Sequence, residues 1–158
     1  YQYPVKYIDI SGKIKDKSLK IKAAGRKFIS EANDIISSFS EKLSDGIELS
    51  HGDFLAKLTP LFGENGVASL SDDRKNVTYT ADSKTSLRYS LTYMGYKEDI
   101  IVSEYTGQTE YSFVLETNGL AVTEQYGSYF LTDGDGNVKA TIGDVIIFTA
   151  DERNNTLA

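Results

Sequence analysis

The chain has 158 residues and a net charge of −6, and an acidic chain is poorly suited to bind nucleic acid or to insert into an anionic membrane. Cysteine is absent and histidine occurs once, which excludes thiol nucleophiles, Cys-based zinc sites and multi-histidine metal sites. A hydrophobic fraction of 40% and only 2 prolines predict one folded domain over residues 1–158.

Period-two alternation of apolar and polar residues dominates the chain and predicts β-strands. Leu87, Tyr89 and Leu91, for example, fall on one face of a strand and alternate with polar residues. In chain order, strands are predicted over residues 4–10, 17–23, 54–58, 76–81, 86–93, 98–105, 109–117, 120–124, 127–132, 138–142 and 145–149. Glycines and short connections between them favour hairpins over crossover helices, so the fold class is predicted as all-β, an antiparallel β-sandwich of about 9–11 strands.

One segment has two interpretations. Near residues 29–44, apolar residues recur every three or four positions, which predicts a short helix with Gly46 beyond its end. Asn33, Asp34 and several serines weaken that helix because these residues favour caps and turns. The residues themselves leave helix and strand open. No internal repeat divides the chain.

The most suggestive cluster of potential ligands is Asp133, Asp135 and Asn137, which alternate as in the first half of a calcium-binding loop. The rest of that loop is missing, because Val138 stands where glycine is needed and Asp144 stands where a bidentate glutamate is usual. We therefore favour a hairpin turn here. A weak calcium site is the alternative, and no other cofactor is expected.

Carboxylates and the single histidine offer little basis for catalysis. Two suitably spaced carboxylates could hydrolyse a glycoside, but some such pair arises by chance among 23 acidic residues. The acidic residues considered are predicted at solvent-facing or strand-end positions: Glu98, Asp99, Glu104, Glu110 and Glu116. His51 is expected in a solvated turn, and no nucleophile elbow is present. The prediction is that the chain is not an enzyme, with a glycosidase-like enzyme as the least favoured alternative.

Tyrosine is the residue type best suited to binding, because its ring stacks on sugars and anchors protein partners. Six tyrosines are candidates: Tyr79, Tyr96, Tyr105, Tyr111, Tyr126 and Tyr129. Tyr105, Tyr111 and Tyr129 are the ligand-binding candidates we retain, although a half-buried structural role is the expected one. The lysines between Lys13 and Lys22 are expected on a solvated strand face or a guarded sheet edge.

Three segments of the second half succeed one another in a recurrent order: KEDIIV (97–102), TEYSFVLETNGL (109–120) and GSYFLTDGDGNV (127–138). In this order they resemble a β-rich domain of large secreted bacterial proteins of the wall-associated, Rhs or YD-repeat type, found upstream of the YD-repeat shell. The likeness covers roughly residues 87–151. Weaker matches before it favour strand for residues 34–41.

The resemblance implies an extracellular or cell-wall location and a non-catalytic role, as an architectural spacer or in adhesion. The implied partners are other domains of the same polypeptide, with cell-wall glycan or a surface protein as further candidates. A carbohydrate-binding module that uses exposed tyrosines is the alternative. Because the chain begins at Tyr1 without a signal segment, we expect it to be a fragment of a longer protein whose export signal lies elsewhere.

Overall fold

The computed structural model describes residues 4–147, and these residues fall into two compact units that divide between Asn118 and Gly119. Both units consist of antiparallel β-sheet, which confirms the predicted all-β class. A single domain over residues 1–158 stays a prediction.

The described residues form fifteen strands, more than the number predicted from the sequence. In chain order they are β1 (Lys6–Ile8), β2 (Ile14–Asp16), β3 (Ile21–Ala24), β4 (Lys27–Ser30), β5 (Ile36–Ser40), β6 (Ile47–His51), β7 (Phe54–Pro60), β8 (Ala68–Leu70), β9 (Asn76–Thr80), β10 (Thr85–Thr92), β11 (Gly95–Val102), β12 (Phe113–Thr117), β13 (Ala121–Gln125), β14 (Ser128–Thr132) and β15 (Val138–Ile142). The prediction missed β2, β4, β6 and β8, because strands of three to five residues contain too few alternations to stand out.

The first unit is a sandwich of two sheets beside a small hairpin. A six-stranded sheet has the order β12-β7-β6-β5-β4-β3, and a four-stranded sheet has the order β11-β10-β9-β8. Strands β1 and β2 form a separate two-stranded hairpin. The core contains inward side chains of both large sheets, so these sheets pack face to face as expected for a sandwich.

Aromatic side chains fill much of that core. Phe39 of the six-stranded sheet lies with its ring centroid 5.7 Å from Tyr89 and 5.9 Å from Tyr96 of the facing sheet. Tyr79 is fully buried, and its hydroxyl donates a 2.6 Å hydrogen bond to the carbonyl of Ser40. Tyr79 and Tyr96 are therefore core residues, which contradicts their candidacy as exposed binding side chains.

The helix considered near residues 29–44 is wrong. This segment contains the strands β4 and β5, and its only helical piece among the described residues is a short 3-10 helix, Leu43–Asp45. Cross-strand pairing decided against the α-helix, since Phe28 lies opposite Phe39 across β4 and β5. Gly46, which ends the 3-10 helix, has a φ of 78°, and a Cβ there would lie 2.6 Å from Thr59 Oγ1.

The second unit is a three-stranded meander with the order β13-β14-β15. A two-residue turn at Tyr126 and Gly127 joins β13 to β14, and both residues have positive φ as a type I′ turn requires. The strand predicted over 145–149 is absent at residues 145–147, and its last two residues lie outside the described part of the chain. Within residues 4–147, no helix has the length and apolar character of a membrane span.

Candidate functional site

The predicted calcium string forms the turn between β14 and β15. The backbone N–H of Asp133 donates to the carbonyl of Asn137 at 3.0 Å, and the N–H of Gly136 donates to the carbonyl of Asp133. Asp133 Oδ1 accepts from the backbone N–H of Asp135 and of Asn137, at 3.0 and 2.9 Å. Lys139 Nζ lies 3.0 Å from Asp133 Oδ2. The segment therefore has the hairpin-turn geometry that the sequence favoured.

Electrostatics strengthen this turn. The Lys139 ammonium, followed by the Asn137 amide, holds the pKa of Asp133 well below its usual range. A calcium ion at this carboxylate would have to displace Lys139 and compete with the hydrogen bonds of the turn. Within residues 4–147, no three His, Asp or Glu side chains converge as a metal-binding group. The weak calcium site stays a prediction.

The turn between β1 and β2 repeats this arrangement. Asp9 Oδ1 accepts from the backbone N–H of Ser11 and of Lys13, and Lys15 Nζ lies 2.8 Å from Asp9 Oδ2. The N–H of Asp9 donates to the carbonyl of Lys13, and that of Gly12 donates to Asp9, as at the equivalent positions of the other turn. The Lys15 ammonium is the largest cause of the lowered pKa of Asp9.

Both turns follow one pattern, Asp-x-Ser/Asp-Gly-x-Ile/Val-Lys, at residues 9–15 and 133–139. Seven residues are too short to stand out as an internal repeat of the chain. The signal that identifies the pattern is the spacing of Asp, Gly and Lys at positions one, four and seven. The chain thus contains two hairpins of the same local design.

The three tyrosines retained as ligand-binding candidates lie in different surroundings. Tyr105 is 74% exposed in the connection between β11 and β12. Tyr111, in the same connection, is half-buried with its ring 5.1 Å from that of Phe62. Tyr129 is 51% exposed on β14 of the second unit. Tyr126 is fully exposed at the tip of the β13–β14 turn.

A buried lysine forms a cluster that the sequence analysis missed. The side chain of Lys17 is only 2% exposed, and its Nζ lies 2.6 Å from Asp34 Oδ1 and donates to the carbonyl of Tyr93 at 3.2 Å. Asn33 Nδ2 donates to the same carbonyl. His51 is 58% exposed, as expected of a solvated position, and its Nε2 lies 3.6 Å from Asp34 Oδ2.

This cluster joins four segments of the first unit: the β2–β3 connection, the β4–β5 turn, the end of β6 and the β10–β11 turn. Burial acts to raise the pKa of Asp34, but the Lys17 ammonium, with a smaller contribution from His51, outweighs burial and holds this pKa below its usual range. Asp34 is therefore charged at neutral pH, and the cluster ties the chain segments together. For Lys17, the prediction of a solvated lysine was wrong.

Glu98 is a second residue that the sequence analysis misplaced. The register sets it opposite Tyr89, on the inward face of β11 together with Tyr96. Glu98 Oε2 and the Tyr89 hydroxyl are both buried without hydrogen-bond geometry between them or to another group. Burial raises the pKa of Glu98; the neighbouring Tyr89 hydroxyl acts against this effect and the nearby Asp99 charge adds to it, with burial the largest cause. Counting alternate positions from Tyr96 could have shown that Glu98 faces inward.

The other carboxylates considered for catalysis mostly face cations. Asp99 Oδ2 lies 3.0 Å from Arg88 and Oδ1 lies 2.7 Å from Lys97. Glu104 pairs with Lys84, and Glu116 Oε2 lies 3.7 Å from Lys57 Nζ. A depression of about 300 Å³ on the first unit is open to solvent and shallow. It is lined by Lys42, Ser44, Glu64, Asn65 and Val67.

Two apolar faces on regular strands are the most conspicuous surface features. On the β1–β2 hairpin, Ile8 and Ile14 lie directly opposite each other and are 68% and 71% exposed; we call this pair the hairpin face. On the second unit, one side of the sheet carries Glu124 and the exposed apolar residues Val122, Tyr129 and Ile142, while Leu131 between them is only 3% exposed. We call Val122, Tyr129 and Ile142 the meander face. Val122 and Ile142 in it are 55% and 39% exposed.

The fold and these surfaces define an all-β protein with a sandwich and a separate β-meander. Comparison with protein-family models, curated proteins and solved structures finds no match to this chain.

Proposed function

We propose that this chain is a non-catalytic structural and interaction module of a large secreted or cell-wall-associated bacterial protein, with an architectural or adhesive role. Its partners are other domains of the same polypeptide, with cell-wall glycan or a surface protein as further partners.

The observation that carries this proposal is the exposure of aliphatic side chains on regular strands. Side chains on the solvent face of a sheet are ordinarily polar, yet both the hairpin face and the meander face present aliphatic groups to water. The free energy of the protein falls when such groups are covered, by roughly 25 cal/mol per Å² of apolar surface. A partner that covers these faces would therefore be held by the hydrophobic effect.

Several charged side chains pair with other groups of the protein, and this pairing also supports a structural role. Lys17 and Asp34 fasten four chain segments, and Asp9 and Asp133 organise the two hairpin turns. Each of these groups already has the partners that its charge requires. These charged groups stabilise the fold, as expected of a module that acts through its surfaces.

Hydrogen exchange can test this function. The amide exchange of β1–β2 and of β13–β15 is measured in the isolated chain and in the polypeptide encoded by the complete reading frame. We expect at least tenfold slower exchange of these strands in the longer polypeptide, because neighbouring domains cover their apolar faces. The amides of β9 and β10 in the sandwich core serve as the internal control, with exchange unchanged. Equal rates for β1–β2 and β13–β15 in the two samples would contradict the proposal.

Carbohydrate binding is the second candidate, because Tyr105 and Tyr129 present aromatic rings to solvent. A glycan array followed by calorimetry tests it: specific sugar binding that is lost in Tyr105→Ala or Tyr129→Ala would favour this role over a purely structural one. Tyr111→Phe is the matched control, since it keeps the ring packed on Phe62. Absence of specific binding to any arrayed glycan would contradict it.

A further inference from the structure

The strand β11 forms one edge of the four-stranded sheet, and its outer side has no partner strand among residues 4–147. It has eight residues, whereas the other edge strands of the two large sheets, β3, β8 and β12, have three to five. Proteins commonly keep edge strands short, because an open row of N–H and C=O groups can pair with another strand. The sandwich therefore leaves its longest edge strand open.

The pairing with β10 determines which backbone groups of β11 are unused. In an antiparallel pair, residues bonded to the partner strand alternate with residues whose N–H and C=O groups point away from it. The N–H of Ser103 donates to the carbonyl of Lys84 at 2.8 Å, just beyond the ends of the two strands. Counting back along the register, Ile101, Asp99 and Lys97 are the residues bonded to β10. The alternate residues, which we call the outward residues of β11, point their backbone groups to the open edge: Tyr96, Glu98, Ile100 and Val102.

The facing six-stranded sheet extends beyond β11. One of its cross-strand rows crosses β5, β6, β7 and β12 with the side chains of Phe39, Ile47, Leu58 and Leu115. Phe39, which packs on Tyr96 of β11, and Ile47 are fully buried, but Leu58 and Leu115 are only half-buried. A fifth strand beside β11 would extend the smaller sheet towards β7 and cover more of the two leucines.

Glu98 sets a chemical requirement for such a strand. Its Oε2 is buried without a hydrogen-bond partner, and a cation stabilises a buried carboxylate. The residue that an added antiparallel strand sets opposite Glu98 carries its side chain on the same inward face, at a Cβ separation of about 5 Å. None of the outward residues of β11 is basic, so β11 of a second copy could not supply this cation. A foreign strand with lysine or arginine opposite Glu98 fits the edge better.

We propose that β11 binds an extended peptide segment of another protein by strand addition, with a lysine or arginine of the segment opposite Glu98 and apolar side chains towards Leu58 and Leu115. Backbone hydrogen bonds to the outward residues of β11 hold the segment, and the cation provides the selectivity. The site differs from the hairpin face and the meander face, so it goes beyond the proposed function and is tested independently of it.

Amide exchange measured by NMR with a synthetic peptide tests the binding. The probe is a peptide of about eight residues, capped at both ends, in which valine alternates with threonine and one lysine replaces a central valine. At about 1 mM peptide, exchange should slow at least fivefold at the outward residues of β11, because their N–H groups gain acceptors. Lys97 and Ile101 already bond to β10 and should not change. Unchanged exchange at the outward residues would overturn the proposal.

Three altered peptides separate strand addition from non-specific contact. Methylating the peptide nitrogens that face β11 removes donors and should abolish the slowing, whereas methylating nitrogens that face away should not. Replacing the peptide lysine by glutamate should weaken binding at least tenfold, and this difference should disappear in Glu98→Gln. Equal binding of the lysine and glutamate peptides by the unchanged chain would overturn the proposal, because no cation would then be selected.

The strand β12 provides a control edge on the facing sheet. The N–H of Leu61 donates to the carbonyl of Ser112, so the same count along the register makes Phe113 and Leu115 point away from β7. Their exchange should not change with the peptide, and equal slowing there would overturn the assignment to β11.

Self-association through β11 is the other outcome that the exchange data can reveal. Slowing at the outward residues that grows with the concentration of the chain, without any peptide, would assign the edge to a second copy and overturn the proposal. None of these results bears on the proposed function, which the exchange of β1–β2 and β13–β15 in the longer polypeptide tests separately.

Discussion

The sandwich core and the two Asp-turn hairpins hold their strands together in different ways. In the sandwich, inward side chains such as Leu87 and Tyr89 are fully buried between two sheets. In the β1–β2 hairpin, by contrast, the Asp9 carboxylate accepts from the backbone N–H groups of Ser11 and Lys13, while Ile8 and Ile14 stay exposed. The turn of the β1–β2 hairpin therefore orders its backbone without burying its isoleucines, whereas the β14–β15 hairpin buries Leu131, at 3% exposed.

Replacing a buried leucine by alanine should reveal the largest difference in stability between the two units. Leu87→Ala is expected to lower the free energy of unfolding of the sandwich by about 3–5 kcal/mol, because the two sheets cannot collapse around the cavity. Leu131→Ala in the meander should lower the free energy of unfolding by about 2 kcal/mol, because Leu131 is buried but its neighbours Val122 and Ile142 are exposed and can close over the space. Urea unfolding followed by the amide NMR signals of each unit measures both values. Equal losses would mean that the meander is packed as tightly as the core.

The Lys17 cluster should give the next largest effect. Lys17→Met keeps the length of the side chain but leaves the Asp34 carboxylate without its closest cation. We expect a loss of about 2 kcal/mol, below the usual cost of breaking a fully buried pair because Asp34 is partly exposed. Urea unfolding measures it. Lys6→Met, at an exposed ion pair, is the control and should change stability by less than about 0.5 kcal/mol.

Glu98 should make part of the stability depend on pH. Its pKa is higher in the folded state than in the unfolded chain, so the folded state binds the proton more tightly. The contribution of Glu98 is therefore fully present below its unfolded pKa and is lost as the pH rises through the folded pKa. Glu98→Gln removes this loss and should be more stable than the unchanged chain at pH 7 by on the order of 1 kcal/mol.

Measuring the difference between Glu98→Gln and the unchanged chain at pH 4 and pH 7 isolates this group from the other carboxylates. The stability gain of the variant should shrink at pH 4, where Glu98 is mostly protonated in the unfolded chain as well as in the folded state. A gain that is the same at both pH values would mean that ionisation of Glu98 is not its cause.

Substitutions at the two Asp turns should change amide exchange only within their own hairpins. Asp9→Ala and Asp133→Ala each remove the oxygen that accepts the N–H groups of the turn, so amide exchange should accelerate at Lys13 and at Asn137 respectively. The strands β9 and β10 of the sandwich should not change. Hydrogen exchange by NMR measures this, and acceleration spread through the sandwich would show that the turns support more than their own hairpins.

Calcium should have the smallest effect. Because Lys139 and the turn N–H groups already occupy the Asp133 carboxylate, the thermal midpoint should be the same with and without calcium at about 5 mM. A midpoint that rises with calcium, and does so no longer in Asp133→Ala, would establish the weak calcium site instead.

Much of the fold could be predicted from alternation and turn residues. Leu87, Tyr89 and Leu91 face inward on β10 as their spacing predicts, and the Asp133 segment forms the predicted hairpin turn. The strand β5 could not be distinguished from a helix, because its serines and Phe39 fit both periodicities and only pairing with β4 and β6 separates them. The Lys17 cluster was not predictable, since its members are 17 to 76 residues apart in the chain.

The sequence by itself determined the all-β class, the hairpin turns and the lack of thiol chemistry, because these depend on residue type and on neighbours a few positions away. The tertiary structure alone decided that Lys17 is buried, that Glu98 faces the core and that the β1–β2 hairpin leaves its isoleucines in water. Burial and charge pairing depend on which strands are brought together, and that information lies in long-range contacts rather than in local pattern.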